Sequence, residues 1–146
     1  MKKHYFRSVI ATASLVLGLG NIGLAHADIF GGFLGVAAPS ATDTYGMTCP
    51  IGTASVRANV NDANVAGNQI SVQVINPNGS VATVSAVDGG PPSAFAILAG
   101  GAGNYILAVL KDTGAGIGEG YTVSMDCYDA AGAAIAGTQS VLVQNQ

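Results

Sequence analysis

The sequence is poor in charge, in histidine and in the large aromatic side chains that line many binding clefts. Of its 146 residues 9% are charged, none is tryptophan and two are histidine. No apolar run reaches the roughly 20 residues that an α-helix needs to cross a bilayer core. These shortages argue against a membrane-embedded protein and against most hydrolytic active sites, and the length suits one domain.

Both histidines, His4 and His26, lie in a segment that has the three parts of a secretory signal peptide. Positive charges in residues 1–7 precede an apolar run over residues 9–20, and a small-x-small sequence ends at Ala27. The apolar run is too short for a membrane anchor. We therefore expect cleavage after Ala27, export to the periplasm, the cell surface or the exterior, and no membrane span after cleavage.

Cleavage would leave two basic residues, Arg57 and Lys111, against eight acidic ones, a formal charge of −6. So few positive charges cannot neutralise a row of phosphates, which excludes nucleic acid as a partner.

A serine or cysteine nucleophile would lack histidine, its commonest activating base. Lys111 stands next to Asp112, which is typical of a solvated or surface-paired amine. Glu119 and Asp126 could supply the two carboxyl groups of a glycosidase, but no tryptophan platform accompanies them, and we expect no enzymatic activity.

The two cysteines, Cys49 and Cys127, predict one disulfide bond. Thiols are oxidised in exported proteins, and two cysteines allow a single pairing. In the chain-entropy model, closing a loop of about 79 residues stabilises the fold by on the order of 4 kcal/mol. No CxxC motif favours a redox or metal-binding thiol pair instead.

From residue 41 onward, hydrophobic and polar residues alternate with the period of two that half-buried β-strands show. Asn78-Gly79 between two apolar stretches is a strong hairpin signal. Residues 104–111 are apolar on both faces, which predicts a central, fully covered strand. The fold class that we expect is all-β: an antiparallel β-sandwich of about eight strands, immunoglobulin-like or jelly-roll-like, in a single domain over residues 41–146. The predicted strands lie near residues 44–49, 54–61, 70–74, 81–87, 93–99, 104–111, 121–127 and 135–144.

Residues 28–40 form an apolar, glycine-rich N-terminal segment in which no strand or helix period persists. Its large side chains would be costly to expose, so we expect them to pack on the domain itself or on another chain. The residues predicted for such an assembly contact are Ile29, Phe30, Phe33 and Leu34.

Four oxygen-bearing side chains, Asn59, Asn61, Asp62 and Asn64, fall close together and make the best candidate for a metal site. Hard cations such as calcium take carboxylate and carbonyl oxygens from loops. The spacing does not match the helix–loop–helix calcium motif, and clusters of Asn and Asp are also typical of ordinary turns. Apart from calcium at this position, no cofactor is predicted.

Short motifs follow one another along the chain in the order found in bacterial pre-peptidase C-terminal domains. They are Asp-Thr-Tyr at Asp43, Pro-Ile-Gly-Thr at Pro50, Asn-Pro-Asn-Gly at Asn76, Gly-Asn-Tyr-Ile-Leu at Gly103 and Gly-Tyr-Thr-Val at Gly120. The chain resembles that family over residues 41–128. The resemblance implies a secreted, non-catalytic β-sandwich, which in that family is normally appended to exported hydrolases and associated with substrate adhesion or secretion. It carries over no site residues.

Three hypotheses about function follow from the sequence. The first is an exported, non-catalytic surface, matrix or binding component that contacts a protein or polysaccharide surface. The second is a self-assembling fibre or pilus-like subunit, a homo-oligomer in which the N-terminal segment is donated as a strand to a neighbour's sheet edge. The third is a calcium-dependent binder of carbohydrate or protein.

Overall fold

The computed structural model describes residues 28–36, 41–64, 67–112 and 117–145, and the predicted signal peptide lies outside them. None of the described residues belongs to a helix of the length and hydropathy that crossing a membrane requires. Their regular secondary structure is entirely β. The nine strands described are β1 (Asp28–Leu34), β2 (Thr42–Cys49), β3 (Ser55–Asp62), β4 (Ile70–Ile75), β5 (Val81–Ser85), β6 (Ala96–Ala99), β7 (Gly103–Lys111), β8 (Glu119–Tyr128) and β9 (Gln139–Gln144).

The strands form two antiparallel sheets that pack face to face. The four-stranded sheet has the order β1-β8-β3-β6, and the five-stranded sheet has the order β5-β4-β7-β2-β9. Alternate residues of β1 to β8 turn inward, and their apolar side chains form one core between the sheets. This confirms the predicted antiparallel β-sandwich. The eight strands expected from the sequence are all present, and β1 is a ninth.

β7 lies in the middle of the five-stranded sheet, between β4 and β2, as predicted. Its inward residues Tyr105, Leu107 and Val109 are buried. The expectation that both faces are covered is wrong, because Ile106 on the outer face is 47% exposed. In a two-layer sandwich even a central strand presents one face to solvent.

β1 forms where the sequence shows no strand period, at the edge of the four-stranded sheet and antiparallel to β8. Phe30 and Leu34 point inward, and the Phe30 ring stacks on the Tyr45 ring with centroids 4.8 Å apart. The inward position between them is Gly32, where a Cβ would collide with the Tyr121 side chain. Because the core requires glycine at this position, the hydrophobic period is missing from the sequence although the strand is regular.

The two sheets are linked both inside the core and at one edge. The predicted disulfide joins Cys49 of β2 to Cys127 of β8, with an S–S distance of 2.06 Å and both residues buried in the core. At the sheet edge, the Ser140 hydroxyl of β9 donates a hydrogen bond to the Asp28 carboxylate of β1 at 2.5 Å. The sheets are therefore joined covalently through their interior and by a hydrogen bond at their margin.

The predicted hairpin connects β4 to β5. Gly79 adopts a φ of 79°, in the left-handed region that favours glycine. The Asn76 side-chain oxygen accepts hydrogen bonds from the backbone N–H groups of Asn78 and Ser80, at 3.0 and 2.9 Å. This Asx-type turn explains why the Asn-Pro-Asn-Gly sequence separates the two strands.

Candidate functional site

Four ionisable side chains are buried between the sheets at one end of the sandwich, which we call the acidic end: Asp43, Asp62, Lys111 and Glu119. Each is at most 3% exposed. They stand at strand ends or close to them, and they turn inward by the same alternation that buries the apolar residues. Three carboxyl groups accompany one ammonium group, a formal excess of two negative charges when all are ionised. Buried charge is costly unless it is compensated.

Lys111 lies at this end although the sequence suggested a solvated or surface-paired amine. That interpretation is wrong, because Lys111 continues the inward series of β7 that starts at Tyr105. Its Nζ donates hydrogen bonds to the backbone carbonyls of Gly35 and Ile117, both at 3.1 Å. The ammonium group therefore ties β7 to the residues that follow β1 and precede β8.

Two tyrosines cross the core beside the acidic end. The Tyr121 hydroxyl donates to the Asp43 carboxylate at 2.5 Å and lies 2.7 Å from the Tyr45 hydroxyl. Burial, followed by these two hydrogen bonds, raises the pKa of Tyr121 far above its ordinary value. The phenol is therefore neutral at all ordinary pH values and acts as a hydrogen-bond donor between β8 and β2.

Asp62 and Glu119 share one neighbour, Asn64. The Asn64 backbone N–H donates to Asp62 Oδ1 at 3.1 Å, and its side-chain amide donates to Glu119 Oε2 at 2.5 Å and to the Gly118 carbonyl at 3.0 Å. Glu119 Oε1 accepts a further hydrogen bond from the Asn68 backbone N–H at 2.6 Å. Asn64 thus contacts both carboxyl groups, that of Asp62 through its backbone N–H and that of Glu119 through its side chain.

The carboxylate of Asp62 has fewer hydrogen-bond partners than that of Glu119. Its Oδ2 is buried, and among the described residues it has no hydrogen-bond partner. Burial raises the pKa of Asp62, the charges of Glu119 and Asp88 raise it further, and the hydrogen bond from Asn64 partly opposes them. An orphaned buried carboxylate oxygen is unusual in a folded protein and requires an explanation.

The structure divides the predicted metal ligands into two groups. Asn59 and Asn61 lie on the outer face of β3, and Asn59 Oδ1 accepts a hydrogen bond from the Ser124 hydroxyl at 2.5 Å. Asp62 points inward, and Asn64 lies beside it after the strand ends. Alternation along β3 separates the pairs, and over the described ranges no group of three or more His, Cys, Asp or Glu side chains could hold a metal.

The predicted assembly residues are divided in the same way. Phe30 and Leu34 fill part of the core of their own sandwich. Ile29 and Phe33 lie on the outer face of β1 and are 69% and 58% exposed. The structure therefore brings two of the four into the domain and presents the other two to solvent.

Glu119 and Asp126, the carboxyl pair considered for glycosidase chemistry, are not brought together. They lie towards opposite ends of β8 and on opposite faces of it. Asp126 is buried on the outer side, where its Oδ1 accepts hydrogen bonds from the Cys127 backbone N–H and from the Thr138 hydroxyl. Two carboxyl groups separated by a sheet cannot flank one glycosidic bond.

Two shallow grooves mark the outer faces of the sandwich. The first, of about 300 Å³, lies on the four-stranded sheet, and we call it the Asn groove: Ile29, Asn59, Asn61, Pro92, Thr122 and Ser124. The second, of about 350 Å³, lies on the five-stranded sheet, and we call it the Gly46 groove: Gly46, Met47, Thr48, Asn104, Tyr105, Ile106, Gln139, Ser140 and Val141. The described residues that line both grooves are uncharged.

No protein-family model matches the sequence, and no match was found among the curated proteins.

Proposed function

We propose that this chain is an exported, non-catalytic β-sandwich protein that works by surface contact, as a surface, matrix or binding component. The observation that carries this proposal is the Asn groove. It offers amide and hydroxyl side chains on a rigid sheet, with Ile29 and Pro92 as apolar neighbours. Such groups hydrogen-bond a ligand's hydroxyl groups and provide no nucleophile-base pair.

A neutral polysaccharide fits this surface best. Amide side chains both donate and accept hydrogen bonds, and sugar hydroxyls do the same. Asn61 and Thr122 are paired across β3 and β8, next to the hydrogen-bonded pair Asn59 and Ser124. Four polar side chains on two neighbouring strands thus make a flat, uncharged patch that an extended sugar chain can follow.

Export is supported by two further observations. A disulfide buried in the core forms where thiols are oxidised, which is typical of exported proteins. The segments that resemble the pre-peptidase C-terminal family lie on strands or turns: Asp43 on β2, Pro50 in the turn before β3, and Gly120 on β8. A secreted, non-catalytic β-sandwich similar to those of that family agrees with the buried disulfide and with the positions of these segments.

Retention on insoluble polysaccharides tests this proposal, using residues 28–146 purified with the disulfide formed. The variant Asn59→Ala/Ser124→Ala removes a hydrogen-bonded pair from the Asn groove. The control Asn104→Ala/Thr48→Ala removes a similar pair from the Gly46 groove, where Thr48 donates to Asn104 at 2.9 Å. We expect the first variant to lose at least about tenfold in retention and the control to keep it. Equal retention of both variants, or no retention of the unmodified chain, would contradict a polysaccharide partner.

A second candidate function, self-assembly by exchange of β1, is favoured by one observation. β1 lies at a sheet edge, and its inward residues Phe30 and Leu34 fill a slot that the β1 of a second copy could fill equally well. Exchange predicts dimers or fibres that form on refolding at high protein concentration.

Light scattering after refolding at high and low concentration tests the exchange of β1. Removal of residues 28–38 should abolish any oligomer, because the exchanged strand is then missing. An oligomer that survives this deletion unchanged, or a single-chain mass at every concentration, would contradict the exchange.

A further inference from the structure

We propose that the acidic end binds one calcium ion, at a site formed by the carboxylates of Asp62 and Glu119, the side chain of Asn64 and the backbone carbonyl of Gly118. This site differs from the cluster that the sequence suggested. It keeps Asp62 and Asn64, leaves out the outward-facing Asn59 and Asn61, and adds Glu119 from a different strand.

The first argument is the orphaned oxygen of Asp62. The side chain is 1% exposed, and its Oδ2 has no hydrogen-bond partner in the described part of the chain. A buried carboxylate oxygen without a partner costs free energy in the folded state. A cation at this position would supply the missing interaction, and Glu119 provides a second fully buried carboxylate at the same end.

The second argument is the balance of charge. The acidic end buries the carboxyl groups of Asp62 and Glu119, which together carry two negative charges when ionised. The Lys111 ammonium at the same end donates to the carbonyls of Gly35 and Ile117 and makes no described hydrogen bond to either of these carboxylates. A divalent cation would balance the two carboxylates without displacing Lys111.

The third argument is the arrangement of oxygens around Asn64. Its side-chain amide lies between Glu119 Oε2 and the Gly118 carbonyl, and its backbone N–H contacts Asp62. The NH₂ group thus lies between two of the four proposed ligand oxygens, Glu119 Oε2 and the Gly118 carbonyl. A cation would take the place of this NH₂ group, and rotation about the Asn64 side-chain torsions would move the amide aside so that its oxygen becomes a ligand.

The loop that passes Glu119 is fitted closely to the carboxylate. A Cβ at Gly67 would collide with both Glu119 carboxylate oxygens. The Asn68 backbone N–H donates a hydrogen bond of 2.6 Å to Glu119 Oε1, the carboxylate oxygen that does not contact Asn64. The loop therefore fixes the direction of the Glu119 carboxylate while Oε2 faces Asn64 and Gly118.

The donor set favours calcium over magnesium. Two carboxylates, one amide oxygen and one backbone carbonyl are the oxygen ligands that calcium takes in proteins, with water completing six to eight positions. Magnesium demands a near-ideal octahedron and releases its waters reluctantly, so it is seldom held by many protein ligands. A partly dehydrated site between two sheets suits the larger ion.

Thermal unfolding and terbium luminescence test the site on residues 28–146 with the disulfide intact. Terbium replaces calcium and emits when a nearby tyrosine is excited, and Tyr121 is the cross-strand partner of Asp62. We expect calcium in excess to raise Tm by about 5 °C or more relative to EDTA. We also expect tyrosine-sensitised terbium emission that calcium displaces, and a smaller rise in Tm with magnesium.

Two variants locate the ion. Asp62→Asn and Glu119→Gln keep the shape of each side chain and should lower terbium affinity about tenfold or more. Asp129→Asn, in the turn after β8, should leave it unchanged. If Glu119→Gln does not fold, Asp62→Asn and the unmodified chain still decide the question. Equal affinity of Asp62→Asn and the unmodified chain, no effect of calcium on Tm, or an equal effect of magnesium would overturn the proposal.

Discussion

The two ends of the sandwich core are built from the same strands but are stabilised by different chemistry. At one end Cys49 of β2 and Cys127 of β8 form a covalent bond among buried apolar side chains. At the other end the same two strands present Asp43 and Tyr121, joined by a hydrogen bond of 2.5 Å. We call the first the disulfide end, in contrast to the acidic end.

This difference separates two ways of stabilising a small domain. In the chain-entropy model a disulfide restricts the unfolded chain, and its contribution depends little on the solution. Buried carboxyl groups act in the folded state, so their contribution changes with protonation and with bound cations. The disulfide end should therefore respond to reductant, and the acidic end to pH and calcium.

The largest expected effect is at the disulfide end. The double variant Cys49→Ala/Cys127→Ala should lower the free energy of unfolding by about 4 kcal/mol, because a loop of roughly 79 residues is no longer closed in the unfolded chain. The midpoint of urea unfolding measures this loss. Intact mass before and after reduction and alkylation provides the control, and a variant as stable as the oxidised chain would remove the contrast between the ends.

An intermediate effect is expected where β1 meets Tyr121. Gly32→Ala places a methyl group against the Tyr121 side chain and should lower the free energy of unfolding by about 1–3 kcal/mol. The matched control Gly31→Ala meets only the Tyr121 backbone oxygen, at an ordinary 3.5 Å, and should change stability by about 0.5 kcal/mol or less. Urea midpoints of the two variants measure the difference. Equal midpoints would show that β1 is not packed as described.

The smallest effect is expected from pH, measured in EDTA. Burial, followed by the nearby charges of Glu119 and Asp88, raises the pKa of Asp62 above the 3.8 of the unfolded chain. The folded chain therefore binds this proton more tightly, and stability falls as pH rises from 3.8 through the raised value. Asp62→Asn should reduce this fall.

Asp126 provides the comparison at the disulfide end. Burial, mainly, also raises its pKa, and the hydrogen bonds from Cys127 and Thr138 oppose that rise. Asp126→Asn should therefore also reduce the fall in stability with pH, and it should leave the response to calcium unchanged. Unfolding midpoints across the acid range, with EDTA and with calcium, measure both variants. If Asp126→Asn lost the response to calcium, the ion would lie at the disulfide end, and the proposed site at the acidic end would be wrong.

Alternation along the strands made much of the fold predictable. The disulfide followed from the presence of two cysteines in a chain that we expect to be exported, and the period of two agrees with the inward positions of Cys49 and Cys127. β1 was not predicted, because glycine stands at position 32, where a hydrophobic residue would have completed the alternating pattern. The close approach of the Tyr121 ring requires this glycine, and the sequence does not show that Tyr121 lies beside it.

The acidic end was only partly predictable. Lys111 follows Tyr105, Leu107 and Val109 at the same parity, so its inward direction was present as a signal in the sequence. The proximity of Asp62 and Glu119 could not be predicted from the sequence. It depends on the register of β3 against β8, and the two residues are far apart along the chain. Parity gives the face on which a residue lies, whereas register gives its neighbours.

The pairing of β1 with β8 has a consequence for the time at which the protein can fold. β4 and β5 can pair early as a local hairpin, but β1, β2 and β3 pair with β8, β7, β9 and β6, which are made much later. Contacts between distant segments form slowly, because long loops must close first. We therefore expect the chain to stay unfolded through most of its synthesis, which is the state that a protein must keep if it is to be threaded across a membrane before it folds.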